Sequence, residues 1–154
     1  MDFYGLTKLG ATTLTTGKVF FNDTVYHTSY TQNTADSVKV YKTNLISGNA
    51  VFNGGYYIPS YRTTVGGNIT VTAGYNSFKR VSCNNLTVSS TDSTIFGSGD
   101  TTFYTGNLIF APGAKIKTTG HTFKHVTSRS LLIRFWNLIL GFWFKIGGQI
   151  IDVT

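Results

Sequence analysis

The chain contains no glutamate, and its six acidic residues are all aspartates. Charged residues make up 12% of the 154 residues, against about 25% in an average soluble domain. Its single cysteine, Cys83, excludes an intrachain disulfide and a zinc site built from several cysteines, and we expect it to be buried and inert. Strong helix formers are scarce before residue 129.

Long hydrophobic runs are also scarce. The N-terminal sequence has no basic segment followed by an unbroken apolar run, so no secretory signal is predicted. The one marked apolar stretch, residues 131–146, carries Arg134 and Asn137 and is shorter than the roughly 20 residues that span a bilayer. It is better suited to lying on a membrane than to crossing one. These features leave the compartment open and favour a virion or cell-surface protein.

The residues that are abundant favour strands and turns. The chain has 25 Thr, 17 Gly, 12 Ser and 11 Asn, together with 12 Phe and 9 Tyr. Low charge with many aromatics argues against disorder, because apolar surface is available for burial. The length predicts a single domain. We expect this β-rich domain to comprise residues 1–127, followed by a hydrophobic, amphipathic helix over residues 128–148 and a short C-terminal tail, residues 149–154.

Short alternating segments separated by Gly, Asn, Ser and Pro predict an all-β domain. The twelve predicted strands are Lys18 to Phe21, Val25 to Tyr30, Val38 to Lys42, Ala50 to Phe52, Tyr56 to Ile58, Ile69 to Thr72, Lys79 to Ser82, Leu86 to Ser89, Thr102 to Tyr104, Leu108 to Phe110, Lys115 to Thr118 and Thr122 to Val126.

A weak repeat favours a parallel β-solenoid. An asparagine precedes an apolar strand at Asn44, Asn68, Asn85 and Asn107, and the intervals are close to one solenoid turn. Stacked turns would align these side chains. A β-sandwich or jelly roll is the alternative, because asparagine also precedes strands in irregular turns.

Residues 131–146 predict an amphipathic helix. Arg134, Asn137, Gly141 and Lys145 follow one another at intervals of three, four and four, so on a helix they form a narrow polar stripe. The remaining positions are apolar and need a covering surface. The residues predicted to form this assembly or membrane interface are Leu131, Leu132, Phe135, Trp136, Leu138, Ile139, Phe142, Trp143 and Phe144.

The helix predicts a non-enzymatic structural protein that self-assembles into a homo-oligomer. The first alternative is a peripheral membrane protein, in which Arg129, Arg134 and Lys145 contact anionic lipid or another anion. Another alternative is that the helix caps its own β domain. Nucleic acid is disfavoured as a partner because the basic residues are dispersed and include no arginine-rich arm.

No motif predicts catalysis, a cofactor or a metal. His121 and His125 make a weak metal pair without a framing pattern, and we expect hydrogen-bonded or surface histidines. Asp92 and Asp100 do not have the spacing of a calcium loop, and Asp in a turn explains them. The sequence also lacks a GxSxG motif and a phosphate-binding loop.

Tyrosines are the remaining signal. They recur through the β region and predict a carbohydrate- or protein-binding face as a further alternative. The eight tyrosines are Tyr26, Tyr30, Tyr41, Tyr56, Tyr57, Tyr61, Tyr75 and Tyr104.

Overall fold

The computed structural model describes residues 1–33 and 37–126, which form eighteen β-strands and no helix. Every pairing between these strands is parallel. The strands are β1 (Asp2–Phe3), β2 (Thr7–Lys8), β3 (Ala11–Leu14), β4 (Lys18–Phe21), β5 (Val25–His27), β6 (Ser29–Gln32), β7 (Ser37–Val40), β8 (Thr43–Ile46), β9 (Ala50–Pro59), β10 (Arg62–Val65), β11 (Ile69–Phe78), β12 (Arg80–Cys83), β13 (Leu86–Val88), β14 (Ser93–Phe96), β15 (Thr101–Tyr104), β16 (Leu108–Phe110), β17 (Lys115–Lys117) and β18 (Thr122–His125).

The strands build a three-faced parallel solenoid of about six turns. Face 1 contains β1, β4, β7, the second halves of β9 and β11, β14 and β17. Face 2 contains β2, β5, β8, β10, β12, β15 and β18, and face 3 contains β3, β6, the first halves of β9 and β11, β13 and β16. Because β9 and β11 run through the corner between faces 3 and 1, those two faces form one sheet.

The turns have nearly constant length. One inward row on face 1 pairs successive strands through Val19, Val38, Tyr57, Asn76, Thr94 and Ile116. These positions are 19, 19, 19, 18 and 22 residues apart. The predicted solenoid is therefore confirmed, and the sandwich alternative is wrong, because a sandwich would require antiparallel strands.

The core is a column of inward side chains, many of them aromatic. Phe52 and Phe78 are fully buried, and their ring centroids lie 5.4 Å apart. Contacts between Phe78 and Phe96 at 5.6 Å and between Phe3 and Phe21 at 5.0 Å extend the column in both directions. Alternation along each strand explains this arrangement, because every second side chain points inward.

The predicted alignment of asparagines is present at one corner, with one correction. Asn85 donates to Asn68 at 2.7 Å, and the backbone NH of Asn107 donates to Asn85 at 2.6 Å. Asn49 begins this column, because its side chain accepts from the NH of Asn68 at 2.8 Å. The prediction for Asn44 was wrong, since alternation turns it inward, where it is buried and donates to Tyr57.

Strand boundaries differ from the predictions mainly at corners. The segment predicted as one strand from Val25 to Tyr30 bends at Thr28, whereas the two strands predicted within 50–58 are one strand, β9. The strands β1, β2, β3, β10 and β14 were not predicted, and β8 was indicated only by the repeat at Asn44. Threonine-rich sequences such as β3 and β10 show little apolar alternation, so local pattern does not reveal them. The predicted helix lies outside the described residues.

Candidate functional site

The predicted assembly interface within 131–144 and the predicted lipid contacts Arg129, Arg134 and Lys145 lie outside the described residues. The chain reaches them from Val126, directly after β18. The C-terminal end of the solenoid is therefore the described surface next to the apolar segment in the chain.

This end is incompletely covered by the described residues. An inward row on face 3 passes through Gln32, Phe52, Val71, Val88 and Phe110. The first four are completely buried, whereas Phe110 is 40% exposed. Among the described strands, β16, β17 and β18 each pair along one edge only. The described residues therefore leave backbone hydrogen-bonding groups unpaired at this end, in addition to the exposed apolar side chain of Phe110.

The N-terminal end has a similar character. Phe3, Leu9 and Leu14 pack on the core but are only partly buried. The strands β1, β2 and β3 each pair on one side with the next turn. At both ends of the solenoid, the described residues therefore pair with only one edge of each terminal strand.

A second feature is a recess at the corner between faces 3 and 1. It is a cavity of about 450 Å³ lined by Gly55, Tyr56, Gly74, Tyr75, Thr91, Asp92, Ser93 and Lys115. Tyr56 and Tyr75 are register partners with ring centroids 5.7 Å apart and an interplanar angle of 37°. Ser93 continues the same outward row, because Thr94 pairs with Asn76, and Lys115 pairs with Ser93.

Glycines shape the floor of this recess. Gly74 has φ +83°, and a Cβ there would lie 2.5 Å from the carbonyl oxygen of Gly55. Gly55 itself has φ 70°. Only glycine adopts this backbone readily at such close approach, so the two turns stack tightly where β9 and β11 cross the corner.

Asp92 lies beside this floor. Its Oδ2 accepts from the backbone NH of Gly74 at 2.7 Å, and its own NH donates to Ser90. The other carboxylate oxygen accepts no hydrogen bond from the described residues. The recess therefore combines the exposed ring of Tyr56, the half-buried ring of Tyr75, the carboxylate of Asp92 and the side chain of Lys115.

The histidines and aspartates considered in the sequence analysis have separate contacts in the structure. His121 bonds to Thr102 at 2.9 Å and to the carbonyl of Gly97 at 2.8 Å, while His125 is exposed and contacts the ring of Tyr104. Asp100 contacts Arg80 at 3.5 Å. Within residues 1–33 and 37–126, no three His, Cys, Asp or Glu side chains are grouped as a metal would require.

His27 and Cys83 are among the buried groups whose pKa values are strongly shifted. Burial lowers the pKa of His27 to about 4, and its Nδ1 lies 2.8 Å from the hydroxyl of Thr12. Burial also raises the pKa of the Cys83 thiol to about 12. Cys83 is therefore a neutral thiol near pH 7, in agreement with the prediction of a buried cysteine, and it is poorly suited to act as a nucleophile.

Sequence reasoning did not locate the recess. It noted Tyr56, Tyr75 and Asp92 separately, but their common row follows from the turn length and from the bulged corner. The nearly regular interval of 18 or 19 residues from Tyr56 to Tyr75 to Ser93 was a signal that could have indicated it.

Comparisons of the chain with protein-family models, with curated proteins and with solved structures found no match. Among residues 1–33 and 37–126, no helix is long and apolar enough to cross a membrane.

Proposed function

We propose that the protein is a non-enzymatic structural protein that self-assembles into a homo-oligomer, as in virion or cell-surface assemblies. The observation that carries the proposal is the C-terminal end of the solenoid, which the described residues cover incompletely: Phe110 is 40% exposed, whereas the four residues before it in its row, Gln32, Phe52, Val71 and Val88, are fully buried. This end is followed in the chain by the most apolar segment of the sequence.

The apolar segment supplies the energy for assembly. Its large side chains bury about 100 Å² or more each, and about 25 cal/mol is gained per Å². Burying half of the twelve large apolar residues in 131–146 would contribute on the order of 10 kcal/mol before ordering costs. That contribution is sufficient to stabilise an interface between subunits.

The edges of the terminal strands give a geometric reason for self-assembly. Parallel strands at both ends of the described solenoid can pair with another chain. In the row that contains Asp2, the last described residue is Lys117, so a head-to-tail contact would bring opposite charges together at this row. Such a contact is heterologous and builds linear assemblies or rings.

Light scattering coupled to size exclusion tests the proposal on the full chain. We expect an oligomer at micromolar concentration. Ile139→Lys, on the predicted apolar face, should shift it toward monomer, whereas Asn137→Lys, on the predicted polar stripe, should not. Both variants add the same positive charge, so a difference in their oligomeric state is due to the helix face that is substituted and not to the added charge.

Two outcomes contradict the proposal. A monomeric full chain at micromolar concentration would exclude self-assembly. Salt-sensitive flotation with anionic vesicles by a chain that remains monomeric without lipid would instead favour the peripheral membrane alternative, in which Arg129, Arg134 and Lys145 contact lipid.

A further inference from the structure

We propose that the recess of Tyr56, Tyr75, Asp92, Ser93 and Lys115 binds a hexopyranose unit of a neutral polysaccharide, with the sugar ring stacked on Tyr75. This site is distinct from the proposed assembly surface, because it opens outward at a side corner of the solenoid, and of its residues only Lys115, in β17, belongs to the last described turn.

The stacking surface follows from the row of outward side chains. The centroids of the Tyr56 and Tyr75 rings lie 5.7 Å apart, close to the strand spacing of about 4.8 Å, and the two rings are tilted by 37° relative to each other. In the outward row, Tyr75 has Tyr56 as its neighbour on one side and Ser93 on the other. Serine has no ring to continue the stack, and the recess occupies the space that a ring would fill.

The space suits a sugar ring. Tyr75 and Lys115 lie on either side of Ser93 in the row, so two strand spacings of about 10 Å separate them along the axis. A pyranose ring placed in van der Waals contact with Tyr75 fills this interval, with its C–H groups directed at the aromatic face. Its hydroxyls then point outward from the ring edge, toward the polar side chains.

The polar groups match a neutral polyhydroxyl ligand. The free oxygen of Asp92 accepts hydrogen bonds, the ammonium group of Lys115 donates them, and sugar hydroxyls do both. Asp92 and Lys115 carry opposite charges, so together they favour neither an anionic nor a cationic ligand. The hydroxyls of a neutral hexose can hydrogen-bond both to the Asp92 carboxylate and to the Lys115 ammonium group.

The backbone beneath the site and the position of Asp92 are set before binding. The glycine corner fixes the backbone beneath it, and Asp92 is held by its 2.7 Å hydrogen bond from Gly74. A preformed site loses less conformational entropy when the ligand binds. A shallow, exposed recess of this kind is suited to recognising one unit within a longer chain.

Saturation-transfer NMR on the full chain tests the proposal. The probes are short α- and β-linked oligosaccharides of glucose, mannose and galactose at about 10 mM, a concentration that detects weak affinity. We expect at least one neutral oligosaccharide to bind, with saturation strongest on the C–H protons of one ring face. An oligosaccharide of a uronic acid should bind no more tightly than its neutral counterpart.

Substitutions locate the site. Tyr75→Ala should weaken binding about tenfold or more, which corresponds to about 1.4 kcal/mol, and Ser93→Tyr should abolish it by filling the recess. Asp92→Asn retains an acceptor for Gly74 and should weaken binding through the lost charge. Tyr41→Ala is the matched control, because Tyr41 is 48% exposed and lies in a different turn.

The proposal is overturned if no oligosaccharide in the panel binds to the full chain. It is also overturned if Tyr41→Ala weakens binding as much as Tyr75→Ala, or if Ser93→Tyr binds as well as the unsubstituted chain. Unchanged melting temperatures establish that each variant is folded. Light scattering on the same samples reports self-assembly separately, so the two proposals fail independently.

Discussion

Tyr57→Phe is expected to destabilise the solenoid through one buried hydroxyl. Tyr57 is completely buried, and its hydroxyl accepts from the Nδ2 of Asn44 at 2.9 Å and shares a 2.8 Å hydrogen bond with Thr63. Burial raises the pKa of Tyr57 to about 12, so the hydroxyl is neutral near pH 7. Removing it leaves two buried polar groups without this partner.

The magnitude follows from desolvation. A buried polar group left unsatisfied costs about 1–3 kcal/mol, and we expect about 2 kcal/mol for Tyr57→Phe. The cost is avoided when the partners are replaced too, because matched apolar groups need no hydrogen bond. A triple variant that also carries Asn44→Leu and Thr63→Val should therefore recover most of the lost stability.

Urea unfolding of the full chain, followed by circular dichroism, measures both effects. With a slope of about 2 kcal/mol per molar urea, Tyr57→Phe should lower the midpoint by about 1 M. Tyr41→Phe, at an exposed tyrosine, should leave it unchanged. A cost below about 0.5 kcal/mol for Tyr57→Phe, or a triple variant less stable than the single one, would refute the reasoning.

Three further substitutions probe the core and the corner. Thr94→Val should stabilise the protein by about 1 kcal/mol in urea unfolding, because Thr94 is fully buried and its hydroxyl has no partner among the described residues. His27→Leu should make the stability less dependent on pH under acidic conditions. The pKa of His27 is about 4 in the folded chain and about 6.5 in the unfolded chain, so the unfolded chain binds the proton first as the pH falls. Relative to the variant, the wild type should therefore lose up to about 3 kcal/mol of stability between pH 6.5 and pH 4. Gly74→Ala should lower the melting temperature through its positive φ and its clash, whereas Gly10→Ala, with nothing within 4 Å of its added Cβ, should not.

The repeat was accessible to sequence reasoning because corners and inward rows impose local constraints. Asn68, Asn85 and Asn107 each precede an apolar strand in the sequence, and each lies in the same corner column. Asn44 showed the same local pattern but faces the core. Whether an asparagine lies at a corner or inside depends on the accumulated turn length, which a single motif does not contain.

The sequence alone determined the all-β class, the approximate turn length and the buried state of Cys83, because alternation and turn residues act over a few positions. Tertiary structure decided which residues meet. Tyr56, Tyr75, Ser93 and Lys115 are separated by 18 to 22 residues, and they share one row only because successive turns stack in parallel register. The exposure of Phe110 is likewise a property of its place at the end of the stack, since the same inward position is fully buried wherever described turns lie on both sides of it.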